Sequence, residues 1–289
     1  MRIKHLLLTK FNCDLILENK VLQAKGTSKK LDDRWLKYRW NLFKTFTIPS
    51  ICAQTYTDFD WLILFDKHSP KWLREESEKI EVPCRKHLSF FDFGSDEFFT
   101  AFSDLNDSST YDICLTTIID SDDAFHRCAM QRIRDYFLAY PNDYDCLNFE
   151  IGYQYNLSTH RLAIVQVNSP PFSTKINRAN SKNHFRNSIF FYGGDHSKMP
   201  QKYRYREISH GDPMFIQVIH GDNIANRIQW NAVFLHRSLS RRILREAFNI
   251  NIPEGKISIH YYMSDIKHYF RQIRNNISLQ LKHRRDDLI

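Results

Sequence analysis

Three short apolar segments alternate with amphipathic helical segments in the first half of the chain, and this alternation constrains the fold more than any other feature. The apolar segments cover residues 3–9, 59–65 and 111–119. Their length suits strands better than helices. Alternating strands and helices are typical of a parallel sheet with helices packed on both faces. We therefore expect an α/β fold with a parallel, doubly wound sheet.

The same patterns predict the helices and the remaining strands along the whole chain. We expect helices over residues 32–46, 49–54, 70–79, 96–105, 123–140, 238–249 and 262–283, and a further helix after Pro213. Strand-like runs cover residues 145–157, 160–167 and 188–192. Asp32 or Asp33 is the expected N-cap of its helix, and Asp212 followed by Pro213 has the composition of another helix start.

The chain has 289 residues but only 8 glycines, and it contains neither GxGxxG nor GxxxxGK[ST]. Those glycine-rich loops bring backbone N–H groups to phosphates in many nucleotide-binding proteins. A nucleotide bound here would instead be held by side chains and a metal. The 6 cysteines include no CxxC pair, and the apolar N-terminal stretch is too short for a signal peptide, which predicts a cytoplasmic protein.

Carboxylates follow two of the three predicted strands, at the strand end where ligands bind in open α/β sheets. Asp66 ends the second strand, and Asp120, Asp122 and Asp123 follow the third. Asp120 and Asp122 can face the same side of an extended chain, and paired carboxylates suit Mg²⁺ or Mn²⁺. The alternative is an N-cap for the next helix, but a cap needs only one of these residues. We therefore predict a divalent metal site.

Asp120-Ser-Asp122 resembles the DxD motif of nucleotide-sugar glycosyltransferases with the GT-A fold. Other segments resemble a family of rhamnosyltransferases: Leu8 to Asn12, the run from Trp35 to Pro70, Asn148 to Gly152, Ser169 to Phe172, and Gln217 to Asn226. The resemblance covers roughly residues 5–228. Lys10 and Phe215 depart from it, since arginine and tryptophan are expected there. The resemblance implies a GT-A-type, Rossmann-like fold with a mixed, mostly parallel sheet flanked by helices. It also implies the transfer of a sugar, with rhamnose as the candidate.

The resemblance also implies roles for particular residues. Thr9, Phe11, Asn12 and Asp66 would contact the nucleotide, Asp120 the ribose or the metal, and Asp122 the metal. Arg39 would clamp the diphosphate, although an exposed helix charge is an equal alternative. His220 would add a metal ligand or remain a structural hydrogen-bonding residue.

Inverting transfer needs a general base after the metal motif. The candidates are Glu150, Asp195, His196, His210, Asp212 and Asp222. The resemblance favours Asp212, because its distance along the chain from Asp122 is similar to that in many inverting GT-A enzymes, although Asp212 also suits a helix cap.

The resemblance implies a domain over residues 1–235, with a nucleotide-binding half to 140 and an acceptor half after it. Residues 236–289 form a basic helical extension with 11 Lys or Arg and 5 Asp or Glu. The implied partners are a nucleotide-diphosphate sugar and a glycan or lipid-linked acceptor. The basic helix over 262–283 would either pack on the domain or contact anionic lipid.

Two other functions compete with this interpretation. A metal-dependent phosphoesterase is suggested by Gly194-Asp195-His196 and His220-Gly221-Asp222-Asn223, but the expected N-terminal GDxH is missing. A nucleic-acid-binding protein is suggested by the isoelectric point of 9.1, but the aromatic residues fall at core spacing. We expect no nucleic-acid partner.

Overall fold

A seven-stranded sheet forms the centre of the protein in the computed structural model, which describes residues 1–13, 15–17, 20–22, 30–92, 110–178, 189, 196–209, 211–220 and 232–253. Its strands are β1 (Ile3–Lys10), β4 (Asp60–Asp66), β5 (Arg85–Phe91), β6 (Ile113–Ile118), β8 (Cys146–Phe149), β11 (Thr174–Arg178) and β12 (Tyr205–Ile208). Their order is β12-β8-β11-β6-β1-β4-β5. All pair in parallel except β11, which is antiparallel to both neighbours. The predicted mixed, mostly parallel sheet is confirmed.

Helices flank this sheet. They are α1 (Asp33–Leu42), α2 (Ile48–Cys52), α3 (Lys71–Glu78), α4 (Ala129–Ala139), α5 (Met199–Lys202) and α6 (Arg237–Phe248), and a π-helical turn (Phe43–Thr47) joins α1 to α2. Asp32 caps α1 as predicted, because its carboxylate accepts a hydrogen bond from the Trp35 N–H at 2.7 Å. Every residue of β4 is buried, as expected for a parallel strand covered on both faces.

A second sheet of five strands lies beside the first. Its strands are β7 (Ala124–Phe125), β9 (Ile151–Asn156), β10 (Arg161–Gln166), β13 (Phe215–Ile219) and β14 (Val233–Phe234), in the order β14-β10-β9-β13-β7. A separate two-stranded hairpin comprises β2 (Leu15–Leu17) and β3 (Lys20–Leu22). The predicted single run over 145–157 is therefore two strands, β8 and β9, one in each large sheet.

The predicted helix after Pro213 is wrong, because this segment forms β13. Ile216 and Val218 pack into a cluster with Leu244 and Phe248 of α6. Phe215 packs into the main core. Alternating side chains that are buried on both faces stabilise a strand here, and local composition does not reveal this.

The predicted helix over 123–140 begins later than expected. Ala124 and Phe125 belong to β7, and α4 begins at Ala129 with no side-chain cap on Cys128. Asp122 and Asp123 therefore cap no helix, and their carboxylates have other partners.

Several predictions lie outside the described residues. These are the helices over 96–105 and 262–283 and, except for Ile189, the strand over 188–192. The division at residue 235 stays a prediction, although α6 packs with β9 and β13. Among the helices that the structure does describe, none combines the length and apolar character needed to cross a bilayer.

Gly152 lies directly beneath the ring of Phe215, so a Cβ at this position would overlap the ring. We expect Gly152→Ala to lower the free energy of unfolding by about 1–3 kcal/mol through overpacking. Denaturant titration measures this loss. Phe215→Leu removes the overlapping ring atoms, so the double variant should lose less stability than the two single losses added together. Strict additivity would contradict the proposed contact.

Candidate functional site

The predicted Asp120–Asp123 segment forms a turn just beyond β6, at the carboxyl edge of the main sheet. β1 lies beside β6, and Asp66 ends β4 on the other side of β1. The two strand-end carboxylates therefore share one edge of the sheet, as the sequence predicted. β13 of the second sheet also reaches this turn, because its Val218 N–H donates a hydrogen bond to Asp123 Oδ1 at 2.8 Å.

Asp122 is the centre of a buried, charged cluster. Arg39 of α1 donates from Nη1 to Asp122 Oδ2 at 2.7 Å and from Nη2 to Oδ1 at 3.1 Å. His220, which follows β13, donates from Nε2 to Oδ2 at 2.8 Å. Side-chain exposure is 15% for Arg39 and 8% for Asp122. Both carboxylate oxygens of Asp122 are therefore engaged by cationic or hydrogen-bonding side chains.

Ser121 is a member of this cluster that the sequence did not single out. Its hydroxyl accepts a hydrogen bond from Arg39 Nη2 at 2.7 Å, and the residue is fully buried. It stands at the variable middle position of the DxD-like motif, which carries no sequence signal of its own. Ser121 and Asp122 together fix the plane of the Arg39 guanidinium.

The pKa values of the two motif carboxyls shift in opposite directions. Burial alone would raise the pKa of Asp122, but the His220 and Arg39 hydrogen bonds hold it below its usual range. Surrounding protein and the nearby Asp122 charge raise the pKa of Asp120 to about 6, and Arg39, Lys10 and His196 act in the opposite direction. Asp120 still presents accessible surface, so it is enclosed by protein but open towards the sheet edge. It is the carboxylate of the motif that a ligand can reach.

Asp123 has a structural position. Besides the hydrogen bond from Val218, its backbone carbonyl accepts one from the Thr47 hydroxyl at 2.7 Å. Burial and the Asp122 and Asp120 charges raise its pKa well above the ordinary value. The residue joins the turn to the helical layer and to the second sheet.

Asp66 and Asn12 form a second polar group at the same edge. Lys30 Nζ lies 2.8 Å from Asp66 Oδ2, and the Asp66 N–H donates to Asn12 Oδ1 at 3.1 Å. Asn12 Nδ2 donates to Ser69 Oγ at 3.1 Å. The sequence predicted no role for Lys30. The side chains of Asp66 and Asn12 therefore already have protein partners, and their contact with a nucleotide stays a prediction.

The structure does not support contacts from the Thr9 and Phe11 side chains to a nucleotide. Thr9 Oγ1 accepts a hydrogen bond from the Trp61 indole at 3.0 Å, and both residues are buried. The Phe11 ring packs in the core against Trp40, Phe43 and Phe65. Residues at the end of a central strand alternate between the two faces of the sheet, and these two side chains face inwards.

The structure also separates Asp212 from the motif. Asp212 precedes β13, whereas His220, which contacts Asp122, follows it. A five-residue strand spans roughly 16 Å at 3.3 Å per residue. The Asp212 charge acts instead on His126 and Tyr153. The geometry therefore gives no support to Asp212 as the general base.

Among the other candidate bases, His196 lies close enough to act electrostatically on Asp120. The ring is exposed, and its Nδ1 is 2.5 Å from the Ser169 carbonyl oxygen. Glu150 instead accepts a hydrogen bond from the Gln166 amide. Asp195, His210 and Asp222 lie outside the described residues.

The predicted metal site does not fit the arrangement as it stands. No group of three or more His, Cys, Asp or Glu side chains within the described ranges is placed to hold a metal ion. Asp122 gives both oxygens to Arg39 and His220, and His220 uses Nε2 for that contact. Asp120 is the remaining accessible carboxylate. A metal ion bound to Asp122 would have to displace the buried guanidinium of Arg39.

Comparison with known proteins defines the class. A family described as "Putative rhamnosyl transferase" matches residues 5–232. The chain belongs to this family. No curated protein matches the chain by sequence.

Similar solved structures are distant. S. aureus TarS 1-349 in complex with UDP is 11% identical with a TM-score of 0.43, and the match covers 76% of this chain and 61% of TarS 1-349. The complex with UDP-GlcNAc has the same identity and TM-score, and the match covers 85% of this chain and 71% of TarS 1-349. A "putative nucleotide-diphospho-sugar transferase" from Desulfovibrio desulfuricans G20 is 12% identical with a TM-score of 0.37, and the match covers 72% of this chain and 79% of that protein. Because these structures are so dissimilar to this chain, the assignment to a family rests on the family match alone.

The Arg39–Asp122 pair should contribute strongly to stability, because removing one partner leaves a buried charge uncompensated. We expect Arg39→Leu to lower the free energy of unfolding by about 3–5 kcal/mol, and Arg39→Leu with Asp122→Asn to recover part of that loss. Denaturant titration of the three proteins measures both effects. Arg204→Leu is the matched control, because Arg204 also makes a bidentate pair, with Asp145, but is 58% exposed. It should cost much less than Arg39→Leu because exposed ion pairs contribute little to stability, and an equal cost for both arginines would contradict the assigned burial.

Proposed function

We propose that this protein transfers a sugar from a nucleotide-diphosphate donor to a glycan or glycolipid acceptor. The family description makes rhamnose the candidate sugar. The observation that carries the proposal is the Arg39–Asp122–His220 cluster beside the accessible carboxylate of Asp120. Asp66 and Asn12 lie at the same carboxyl edge, where open α/β sheets bind nucleotides.

Arg39 is the proposed diphosphate-binding group. Asp122 and Ser121 hold two of its nitrogens in a fixed plane, and guanidinium groups bind phosphate oxygens in fork geometry. Its Nε has no hydrogen-bond partner among the described residues although it is buried. An anion arriving at this edge would meet a donor that is already oriented, which lowers the entropy cost of binding.

Metal dependence stays a prediction from the sequence motif. Both oxygens of the Asp122 carboxylate already have partners, so the proposal assigns the diphosphate to Arg39 and not to a metal ion. Mn²⁺ or Mg²⁺ would find Asp120 as its accessible protein ligand, and the nucleotide experiment below includes both metal and chelator for this reason.

His196 is the proposed general base, in place of Asp212. Its Nδ1–H donates to the Ser169 carbonyl, which leaves Nε2 unprotonated and able to accept a proton. In the proposed inverting step the acceptor oxygen forms a bond to the anomeric carbon, and the bond from that carbon to the diphosphate oxygen breaks. The acceptor proton passes to His196 Nε2, and the nucleoside diphosphate leaves with the bonding electron pair.

The donor class can be tested by thermal unfolding with UDP, TDP, GDP and CDP, each with Mn²⁺ and with EDTA. A ligand that binds only the folded protein raises the melting temperature by mass action. We expect one nucleotide to raise it and Arg39→Lys to reduce the shift, because lysine keeps the charge but loses the fork geometry. Asp112→Asn, at an exposed carboxylate on the amino side of β6, is the control.

Comparing the melts in Mn²⁺ with those in EDTA distinguishes metal-independent from metal-dependent nucleotide binding. A shift that survives EDTA supports charge compensation by Arg39, and a shift seen only with Mn²⁺ supports the predicted metal. The absence of a shift with all four nucleotides under both conditions would contradict nucleotide-sugar binding at this edge.

The general base can be tested with His196→Gln, once the donor nucleotide is known. We expect kcat to fall by about 100-fold or more, the usual contribution of general-base catalysis, with little change in the nucleotide-induced thermal shift. Asp212→Asn is the comparison, and a larger loss of kcat for Asp212→Asn than for His196→Gln would return the assignment to Asp212.

A further inference from the structure

A cavity of about 430 Å³ opens at the other end of the main sheet, away from Asp120. The residues that line it and matter here are Asp145, Lys175, Asn177, Arg178, Tyr203 and Arg204. Arg178 pairs in register with Ile113, the first residue of β6, and Asp145 and Arg204 immediately precede β8 and β12. The cavity therefore lies at the amino end of the strands, whereas the Asp120 turn follows their carboxyl end.

Lys175 is the unusual residue of this cavity. It is 5% exposed, and its ammonium lies 4.1 Å from the centre of the Tyr203 ring. Within the described part of the chain no carboxylate forms an ion pair with it. Burial lowers the pKa of Lys175 to about 8, against the opposing effects of Cys146 and Asp145. A buried cation without a counter-ion is costly, so the folded protein holds it in place at an energetic expense.

Asn177 supplies a second unsatisfied group from the same strand. It is 3% exposed, and its Nδ2 donates to Thr116 Oγ1 at 3.1 Å. Its Oδ1 is buried and has no hydrogen-bond partner in the described structure. Buried polar atoms are rarely left in this state, which indicates that a donor from outside completes the site.

The charges around the cavity favour an anion. Arg204 is held by Asp145, with Nε at 3.0 Å from Oδ2 and Nη2 at 2.8 Å from Oδ1. Lys175, Arg178 and Arg204 contribute three positive charges against the single carboxylate of Asp145, so the lining carries an excess of two. The cavity also lies within the volume range of small-molecule sites, roughly 300–1,000 Å³.

We propose that this cavity binds an anionic sugar unit, carrying a phosphate or a carboxylate, at a site separate from the reaction centre. The anion meets the Lys175 ammonium, and a sugar hydroxyl donates to Asn177 Oδ1. The Tyr203 ring gives an apolar surface beside them. In a glycosyltransferase such a site would hold a charged unit of a glycan away from the point of transfer.

Isothermal titration calorimetry with the full chain tests the proposal. The probes are glucose 6-phosphate, glucuronate, neutral glucose and inorganic phosphate. We expect the two charged sugars to bind and glucose to bind at least about tenfold more weakly, since a hydrogen bond to a charged group is worth that much in affinity. Inorganic phosphate should also bind more weakly than glucose 6-phosphate, because it lacks the hydroxyl that faces Asn177.

Two variants assign the binding to particular atoms. Lys175→Met keeps the apolar stem and should weaken both charged sugars about tenfold or more, whereas Lys175→Arg should retain binding. Asn177→Leu should weaken glucose 6-phosphate and leave inorganic phosphate unchanged. Lys198→Met, at an exposed lysine, is the matched control. Thermal melts of each variant show that it is folded, and Lys175→Arg provides the test if Lys175→Met does not fold.

The outcomes are distinct from those for the donor site. Lys175→Met should keep the nucleotide-induced thermal shift, and Arg39→Lys should keep binding of the anionic sugar. No binding of either charged sugar at millimolar concentration, or equal binding by wild-type protein and Lys175→Met, would overturn the proposal. Equal affinity for inorganic phosphate and glucose 6-phosphate would overturn its sugar component.

Discussion

The buried ion pair between Arg39 and Asp122 is the interaction on which the rest of the site depends. It joins α1 to the turn after β6, and His220 extends it to the end of β13 in the second sheet. Three elements that are distant in the chain therefore converge on one carboxylate. Because both partners are mostly buried, the pair is stable only when all of these elements are in place.

Asp123 also anchors the turn after β6. Asp123 accepts the Val218 N–H of β13 and, through its backbone carbonyl, the Thr47 hydroxyl after α1. Of the three adjacent carboxylates, Asp122 and Asp123 therefore serve the architecture, and Asp120 remains accessible. Their different surroundings also separate their pKa values, which is how neighbouring carboxyls acquire different roles.

The sequence predicted β1, β4 and β6 at the centre of the main sheet because these strands are continuous apolar runs, two of them followed by carboxylates. It did not predict β5, β11 or β12. It failed where burial came from partners distant in the chain. β13 was expected to be a helix, because the Pro213 start signal is local and the packing of Ile216 and Val218 on α6 is not. The preference for Asp212 rested on spacing along the chain. Spacing does not show that Asp212 lies at the opposite end of β13 from the residue that contacts Asp122.

The alternation of strands and helices in the first half of the chain, and the carboxylates at the ends of β4 and β6, were determined by the sequence alone, because periodicity and strand-end position are local properties. Only the tertiary structure decided which of those carboxylates is accessible. It placed Arg39 and His220 on Asp122, turned Phe11 into the core, and enclosed Lys175 without an acidic partner in the described chain. Burial and ion pairing depend on which residues meet in space, and neither can be read from neighbours along the chain.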